Sequence, residues 1–446
     1  MAERLSAREV VTALADDATF AELPAPARKS RPDGPLAWPG YDDSRARAAE
    51  RTGEQESVVC GTARVGGVRA VLIAFEFGFL GGSLGERTGD RLEAAYAYAR
   101  ERRLPVVPLV ATGGSRMQEG MLALTQLQRV ARQSALNREA GLAQVAVLRD
   151  PTTGGGWATL GAGADVVLAL PGAQVGFAGS RVRPADADPA AYTAEAQVAA
   201  GAADAVVGPQ ELRETLGRWL RLLTRPSTTP APPPGPLGES AVLPVTGWDA
   251  VRRARSPQRP RAGAYLDAYF TERTAISGDR CGGADPHGML CGFGTHEGRT
   301  VAYAAQTGTA TRPAGYRTAA RLIRLADRLG IPVLTLVDTP GAANDAEAER
   351  QGAGAAIADL FGAVAGARTP VTTLVIGEGG SGGALALAAP GNTWATPDSY
   401  FSVIAPELAA AILKRPPREV ESTADQLRIR PQDLVELGVI RGTVGG

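Results

Sequence analysis

The feature that most constrains the fold of this 446-residue chain is an internal repeat. Three blocks occur twice in the same order: residues 60–67 and 291–298, residues 104–114 and 331–341, and residues 145–155 and 373–383. The offsets between the copies are 231, 227 and 228 residues, so the spacing inside each copy is nearly the same. Ordered repetition at this distance predicts a duplicated domain.

A Pro-rich segment lies between the two copies, at residues 225–236. Its rings fix the backbone and remove amide donors, which forbids a helix or a central strand. The sequence therefore predicts a first domain over residues 1–225, a linker over residues 226–244 and a second domain over residues 245–446.

Each copy alternates between strand signals and helix signals. An apolar run leads into a Gly-containing turn, a helical stretch follows at residues 117–139 or 345–365, and a second apolar run ends in paired glycines. Apolar runs this short fit buried strands or buried helices, but the turn after each run favours a strand. The pattern is typical of an α/β architecture with crossover connections.

Charge and composition exclude several function classes. The chain has 47 basic and 47 acidic side chains, whereas nucleic-acid binding requires a basic surplus. Lys29 and Lys414 are the only lysines and neither follows a glycine, so a Walker A loop is excluded. Three cysteines cannot build a disulfide framework. Because the amino terminus is charged and no run of 18 apolar residues occurs, we expect a soluble cytoplasmic protein.

Two pairs of glycines carry the strongest functional signal. Gly154–Gly155 and Gly382–Gly383 each follow an apolar run at matched places in the two copies. Such a turn before a helix points consecutive backbone N–H groups at a negatively charged oxygen, and a Cβ atom would block that approach. A tight turn alone also explains one pair, but two matched pairs favour two oxyanion holes.

Specific motifs in the two copies resemble a known family. The first copy contains FLGGSLG at residues 79–85, GGSRMQEG at 113–120, DPTTGG at 150–155 and GFAG at 176–179. The second contains PQRP at residues 257–260, GYR at 315–317, VDTPG at 337–341, GEGGSGGA at 377–384 and YFSVI at 400–404. The first set resembles the β carboxyltransferase subunit of acetyl-CoA carboxylase, and the second set resembles the α subunit. Over residues 50–445 the chain looks like both subunits fused.

This resemblance implies two tandem crotonase-like domains, each a β-β-α spiral. It also implies a biotin-dependent carboxyltransferase that moves CO2 from carboxybiotin to the α carbon of acetyl-CoA and forms malonyl-CoA. In such a mechanism the biotin nitrogen itself can take the α proton. That role agrees with the scarcity of side-chain bases, since His287 and His296 are the only histidines.

Carried over residue by residue, the family's site falls largely on glycines. Gly154 and Gly155 are expected to hold the thioester oxygen as the enolate forms, and Gly382 and Gly383 the ureido oxygen of biotin. The other positions expected to bind the acyl-CoA are Gly82, Gly113, Gly114, Arg116, Ala178 and Gly179. Those expected to bind biotin are Gly341, Gly379 and Gly380.

The chain contains no biotinylation sequence and no recognisable ATP-binding domain, so the resemblance implies a separate biotin carboxylase and a biotin carboxyl carrier protein. It also implies a homodimer or larger homo-oligomer, whose sites pair the first domain of one chain with the second domain of another. Two other functions stay open: a biotin-independent decarboxylase acting on malonyl groups, and a catalytically silent scaffold.

The chain departs from the family in its zinc ligands. No cysteine precedes Cys60, so the four-cysteine zinc ribbon of the β subunit has no counterpart. Four residues of the second copy have types that bind zinc: Cys281, His287, Cys291 and His296. At about 3.3 Å per residue along a strand, Cys291 and His296 lie roughly 16 Å apart. We therefore predict no bound metal, and ordinary buried thiols and a turn histidine instead.

Four further features remain open to interpretation. Residues 306–311 replace a segment that is Lys-rich in the α subunit, which puts the handling of biotin in question. Arg116 opens a helical stretch, where it either meets a CoA phosphate or belongs to a solvated face. Asp338 and Glu378 lie near the predicted site, and we expect each to fix backbone N–H groups rather than act as a base.

Overall fold

The computed structural model describes residues 4–29, 31–238, 240 and 242–445. The chain divides into two compact units, Met1–Thr224 and Arg225–Gly446. In the described part of each unit, helices accompany an eight-stranded mixed sheet, and this architecture confirms the predicted α/β class. Within the described residues, no helix is both long and apolar enough to cross a membrane.

The first unit contains a sheet in the order β1-β2-β3-β4-β5-β6-β8, with β7 paired to β5. Its strands are β1 (Ala21–Glu22), β2 (Val58–Val65), β3 (Val68–Phe75), β4 (Val106–Thr112), β5 (Val145–Thr153), β6 (Val166–Ala169), β7 (Val175–Gly176) and β8 (Ala205–Val206). Its helices are α1 (Ala7–Leu14), α2 (Tyr41–Thr52), α3 (Glu86–Arg102), α4 (Gly120–Glu139), α5 (Gly154–Gly156), α6 (Ala194–Ala199) and α7 (Pro209–Leu223). A π-helical turn over Trp157–Gly161 continues α5.

The second unit contains a sheet in the order β16-β14-β13-β12-β11-β10-β9, with β15 paired to β13. Its strands are β9 (Glu272–Ile276), β10 (Met289–His296), β11 (Arg299–Gln306), β12 (Val333–Thr339), β13 (Val371–Gly380), β14 (Thr393–Ala395), β15 (Tyr400–Ser402) and β16 (Gly442–Thr443). Its helices are α8 (Gly247–Arg255), α9 (Ala262–Tyr269), α10 (Pro313–Leu329), α11 (Ala346–Arg350), α12 (Ala353–Gly366), α13 (Ser381–Leu385), α14 (Pro406–Ile412), α15 (Val420–Gln426) and α16 (Pro431–Glu436).

The same strand pairing recurs in the two units. An antiparallel hairpin, β2–β3 or β10–β11, is followed by two parallel strands, β4 and β5 or β12 and β13. Every residue of β4 and of β12 is buried, as expected for parallel strands that are covered on both faces.

One irregularity in each sheet positions the predicted site. The pairing of β4 with β5 shifts between Val110 and Thr112, and that of β12 with β13 shifts between Val337 and Thr339. The carboxyl ends of neighbouring parallel strands meet at one edge of a sheet. The turns after β4 and β5 therefore lie side by side, as do the turns after β12 and β13.

The Pro-rich segment packs on the second unit. The Tyr269 Oη atom donates to the Pro232 carbonyl at 3.0 Å, and the Leu237 N–H donates to Tyr265 Oη at 3.2 Å. These tyrosine hydroxyls satisfy backbone groups that have no place in a helix or sheet. The segment thus extends the second unit, whereas the sequence indicated a linker separate from both domains.

Candidate active site

The turn after β4 packs tightly against the helix start after β5. The Gly113 N–H donates to the Gly81 carbonyl at 2.9 Å, and the Gly114 N–H donates to Thr112 Oγ1 at 3.0 Å. Gly114 has a φ of +108°, and a Cβ atom on Gly154 would lie 3.2 Å from the Gly114 Cα atom. Side chains here would push the two turns apart, so both positions favour glycine.

The other small residues predicted to bind the acyl-CoA lie around the same strand ends. A Cβ atom on Gly82 would lie 2.1 Å from the Ala111 carbonyl oxygen, so no larger residue fits there. A Cβ atom on Gly179 would lie 3.6 Å from Thr153 Oγ1. Ala178 precedes Gly179 and is half-buried. The structure therefore brings these positions to the edge of the sheet formed by β4 and β5.

The helix start after β5 leaves two backbone donors free, but they are not the two predicted. The Gly154 N–H donates to the Phe177 carbonyl at 3.0 Å, because β7 runs parallel to β5 and their ladder continues. The prediction that Gly154 holds an oxyanion is therefore wrong. The N–H groups of Gly155 and Gly156 lie in the first helical turn, which has no intrahelical acceptors, and nothing in the described chain accepts from them.

The second unit repeats this geometry. The Gly341 N–H donates to Thr339 Oγ1 at 3.1 Å, which matches the hydrogen bond made in the first unit after β4. A Cβ atom on Gly380 would lie 2.1 Å from the Pro340 carbonyl oxygen. A Cβ atom on Gly379 would overlap the aromatic ring of its partner in β15. The three glycines predicted to bind biotin are thus gathered where β12 and β13 end.

The structural alignment of the two helix starts differs by one residue from the alignment made by matching the glycine pairs in the sequence. β5 ends at Thr153 and β13 ends at Gly380, an offset of 227 residues. The next residue is left-handed in both units, with a φ of +61° at Gly154 and +60° at Ser381. The structurally equivalent pairs are Gly155 with Gly382, and Gly156 with Gly383. The sequence match paired Gly154–Gly155 with Gly382–Gly383 and was therefore wrong by one residue. The error arises because the first unit has three consecutive glycines, Gly154–Gly156, and the second unit has two at this place.

Polar side chains support the helix start of the second unit. The Gly383 carbonyl accepts hydrogen bonds from Tyr316 Oη at 3.1 Å and from Gln306 Nε2 at 3.0 Å. Burial raises the pKa of Tyr316, so the phenol stays protonated and acts as a donor. Gln306 is the last residue of β11, and its side chain holds the start of α13 in place.

Sequence reasoning missed three residues of this geometry. Thr112 and Thr339 each fix the turn that follows their strand, and they stand 227 residues apart in the repeat. The duplication was therefore sufficient to find them. Gly156 has no glycine partner in the sequence match, because a run of three glycines at 154–156 is matched to a pair at 382–383.

Arg116 is buried inside the first unit. Its side chain is 1% exposed, and its guanidinium pairs with Glu56 Oε1 at 2.5 Å. It also donates to Tyr41 Oη at 3.1 Å and to the Ser83 carbonyl at 2.8 Å. Burial alone would raise the pKa of the Glu56 carboxyl, but the attraction of Arg116 outweighs it and the pKa lies below its usual range. Both interpretations of Arg116, a CoA phosphate ligand and a solvated face, are therefore wrong.

Removing this guanidinium should destabilise the first unit. We expect Arg116→Ala to lower the free energy of unfolding by about 3–5 kcal/mol, because Glu56 would remain as a buried charge without its partner. Urea denaturation of the full chain measures the change. Arg132→Ala removes an exposed arginine of α4 and is the matched control. A loss no larger than that of the control would contradict the structural role.

Asp338 and Glu378 lie beside the ends of β12 and β13. Asp338 Oδ1 accepts a hydrogen bond from the Glu378 N–H at 3.2 Å, and Asp338 pairs with Arg259 at 2.9 Å. The expectation that Asp338 fixes a backbone N–H group is thus confirmed. Glu378 instead binds two side chains, since Oε2 accepts from Tyr400 Oη and Arg255 Nε, both at 2.8 Å. For Glu378 the expectation was wrong.

Three of the four candidate zinc ligands have ordinary environments, and the backbone carbonyl of the fourth, His287, accepts a hydrogen bond from Thr309 Oγ1 at 3.0 Å. Burial raises the pKa of Cys291 to about 12, which keeps it a thiol. His296 stacks on the Tyr269 ring at a centroid distance of 3.7 Å and ends β10 beside a turn. Cys281 is exposed, contrary to the expected burial. Among the residues the structure describes, no three His, Cys, Asp or Glu side chains are grouped to hold a metal ion.

The prediction of no stoichiometric metal has a direct measurement. Elemental analysis of the purified chain should find far less than one zinc per chain, because the zinc-ribbon cysteines are missing from the sequence. About one zinc per chain would contradict the prediction. Dialysis of the sample against a chelator before the analysis removes loosely bound metal ions, so that only tightly bound zinc is counted.

Solved structures share the fold of the chain. A transcarboxylase 12S structure aligns with a TM-score of 0.80 at 21% identity, over 99% of this chain and 87% of that one. A single-chain, multi-domain long-chain acyl-CoA carboxylase aligns with a TM-score of 0.74 at 19% identity, over 99% of this chain and 46% of that one. These likenesses confirm the predicted fold class, two tandem crotonase-like domains.

Sequence comparisons extend from fold to family. Residues 238–445 match an acetyl co-enzyme A carboxylase carboxyltransferase-like family model, and residues 37–213 match a carboxyl transferase domain. The acetyl-coenzyme A carboxylase carboxyl transferase subunits beta/alpha of Saccharopolyspora erythraea are 38% identical, over 91% of this chain and 75% of that protein. A probable biotin-dependent acyl-coenzyme A carboxylase beta3 subunit of Mycobacterium tuberculosis is 35% identical, over 91% of this chain and 84% of that protein.

Fold, site and relatives together define a biotin-dependent carboxyltransferase, and thus a transferase enzyme. This class confirms the function predicted from the motifs. The chain belongs to the acetyl-CoA carboxylase carboxyltransferase family.

Proposed function

We propose that this chain transfers a carboxyl group from carboxybiotin on a separate carrier protein to the α carbon of acetyl-CoA, which forms malonyl-CoA. One observation carries the proposal. Within the described residues, each unit has a helix start with two unpaired N–H groups, on Gly155 and Gly156 or on Gly382 and Gly383. The reaction develops negative charge on one oxygen of each substrate, so two such groups of donors are required.

The first unit is assigned to the acyl-CoA, with residues 1–225 as its domain. The N–H groups of Gly155 and Gly156 stabilise the thioester oxygen while the α carbon loses its proton. These amides belong to a buried turn, so they need no reorganisation as the charge forms. Five small residues around the ends of β4 and β5 are assigned to the same acyl-CoA site: Gly82, Gly113, Gly114, Ala178 and Gly179.

The second unit is assigned to biotin, with residues 245–446 as its domain. Its helix start fits a ureido oxygen, because the Gly382 and Gly383 amides are unpaired within the described residues and a Cβ atom on Gly382 would meet nothing within 4 Å. Carboxybiotin supplies the CO2 group and a ring nitrogen that accepts the α proton. Three further glycines keep backbone close to this position: Gly341, Gly379 and Gly380.

The remaining assignments concern the setting of the enzyme. Its proposed partners are a biotin carboxylase and a biotin carboxyl carrier protein, since the sequence itself contains no biotinylation site. The proposed assembly is a homodimer or a larger homo-oligomer in the cytoplasm. Biotin on the carrier protein is the proposed cofactor, and no metal is included.

The test runs the reaction in reverse with purified chain, malonyl-CoA and free biotin. We expect malonyl-CoA to be converted to acetyl-CoA only when biotin is present. Conversion at the same rate without biotin would show a biotin-independent decarboxylase, and no conversion with either free or carrier-bound biotin would favour a silent scaffold. Repeating the assay with methylmalonyl-CoA compares the acyl groups.

A further inference from the structure

The carboxyl end of β7 leads into a surface loop, residues 177–192, that borders the proposed acyl-CoA site and ends in a short 3-10 turn. The two ends of the loop lie close together, because Gln174 and Thr193 form an antiparallel bridge. Gly179 is near the start of the loop, and a Cβ atom on it would lie 3.6 Å from Thr153 Oγ1 at the end of β5. Loops with adjacent ends pack on their own side chains and frequently carry function.

Arg183 packs across this loop and joins its two ends. Its Nε atom donates to the Ala178 carbonyl at 3.1 Å, and its Nη1 atom donates to Gln174 Oε1 at 3.0 Å. The planar guanidinium lies over the Tyr192 ring, with its Cζ atom 3.7 Å from the ring centroid. A Cβ atom on Gly176 would lie 2.7 Å from the same ring, so the ring also packs closely on β7.

The charge of Arg183 is not used for an ion pair. In the part of the chain that the structure describes, its guanidinium contacts two neutral oxygens and an aromatic ring but no carboxylate. The buried Nη2 atom has no hydrogen-bond partner among the same residues. A buried donor without a partner lowers stability, and departures of this kind are expected at functional positions. Stability alone therefore does not account for this arginine.

The loop also holds the helix start after β5. The Phe177 carbonyl accepts the Gly154 N–H at 3.0 Å, and the Gln174 carbonyl accepts the Thr152 N–H at 2.8 Å. These hydrogen bonds fix the backbone immediately before Gly155, whose N–H group is one of the two unpaired donors of that helix start within the described residues. A donor that is held in place before the reaction stabilises a developing negative charge without reorganisation.

We propose that Arg183 is a positioning residue for carboxyl transfer. It acts through the loop, because the carbonyls of the loop set the direction of the unpaired N–H groups at the start of α5. The proposal rests on the proposed function, in which those N–H groups stabilise the enolate. Lysine does not replace this arginine, since an ammonium group cannot present two donors in a fixed fork while it stacks on a ring.

Steady-state kinetics of the full chain compare the wild type with Arg183→Ala and Arg183→Lys. The control is Arg132→Ala, which removes an exposed arginine of α4. We expect Arg183→Ala to lower kcat about tenfold and to leave the KM for acetyl-CoA within about twofold, because the positioned donors act on the transition state. Arg183→Lys should remain at least about fivefold below the wild type in kcat.

Backbone hydrogen exchange, followed by mass spectrometry, measures the positioning without catalysis. The fragment that contains the Gly154 amide should exchange about tenfold faster in Arg183→Ala. Fragments from β3 of the same unit should exchange as in the wild type. Tyr192→Leu removes the stacked ring but keeps the arginine, and it should change kcat and exchange in the same directions by about threefold. This second variant decides the question if Arg183→Ala does not fold.

The outcomes separate the positioning role from the proposed function. Normal kcat in a folded Arg183→Ala chain, or full recovery of kcat in Arg183→Lys, would overturn the role. A raised KM for acetyl-CoA with unchanged kcat would overturn it as well, since that result indicates direct substrate binding. Equally faster exchange in the β3 fragments would show that Arg183 only stabilises the unit. Faster exchange at Gly154 alone, in a chain whose wild type transfers no carboxyl group, would uphold the role of Arg183 in the loop and reject the proposed function.

Discussion

Gly383→Val is expected to lower the rate of carboxyl transfer by at least about 100-fold. A Cβ atom on Gly383 would lie 2.5 Å from the Ala342 backbone nitrogen and 2.6 Å from Tyr316 Oη, so the helix start must move. Displacing one oxyanion donor costs roughly 2.7–4 kcal/mol in the transition state. Turnover of malonyl-CoA with biotin measures the loss.

The test in the first unit is Gly155→Val, which changes the other donor position of its helix start, with the same expected loss. Its Cβ atom would lie 2.4 Å from the Leu127 methyl carbons, which end a flexible side chain. Because Leu127 can turn aside whereas a backbone atom cannot, this variant is the one that should stay folded. Circular dichroism checks folding in both.

Gly354→Val is the matched control, since a Cβ atom there meets nothing within 4 Å and the residue lies on the exposed side of α12. A folded Gly155→Val chain with near-normal turnover would remove the enolate role from this helix start. Near-normal turnover by a folded Gly383→Val chain would show that the helix start of the second unit does not bind the ureido oxygen of biotin.

The second large effect is recovery of activity when the two inactive chains are mixed. If each site pairs the first domain of one chain with the second domain of its partner, a mixed dimer contains one site with both damaged halves and one site with both intact halves. Random mixing makes about half the dimers mixed. About a quarter of wild-type activity should therefore return.

The chains must be co-expressed with different affinity tags, because preformed dimers can fail to exchange. Purification through both tags isolates the mixed species and verifies its composition, and because one of its two sites is intact it should have about half of wild-type activity. No activity in verified mixed dimers of Gly155→Val with Gly383→Val would reject the shared site, because sites built within one chain would each retain a damaged half.

The repeat predicted the architecture because strand order and Gly-containing turns are local patterns that survive duplication. Two strands ending side by side were sufficient to bring Gly114 and Gly154 together. The same reasoning wrongly predicted that the Gly154 N–H donates to the oxyanion, since this N–H donates to the Phe177 carbonyl instead. That hydrogen bond depends on β7 returning alongside β5, which glycine spacing does not encode.

Arg116 shows a second limit of sequence reasoning. An arginine at the start of a helical stretch is usually solvated, yet this one is enclosed with Glu56. The two residues are 60 positions apart, so no local periodicity links them. The Pro-rich segment differs from the expected separate linker for a similar reason. The tyrosines that form hydrogen bonds with its backbone belong to α9, which is distant from it in the sequence.

The central claim is the transfer of a carboxyl group between biotin and an acyl-CoA, and isotope transfer tests it most directly. A carrier protein bearing isotopically labelled carboxybiotin is mixed with the purified chain and acetyl-CoA, and the products are separated by mass. The account predicts labelled malonyl-CoA, with one label gained for each carboxybiotin consumed. Label released as CO2 with no labelled malonyl-CoA, or label retained on the carrier, would contradict it.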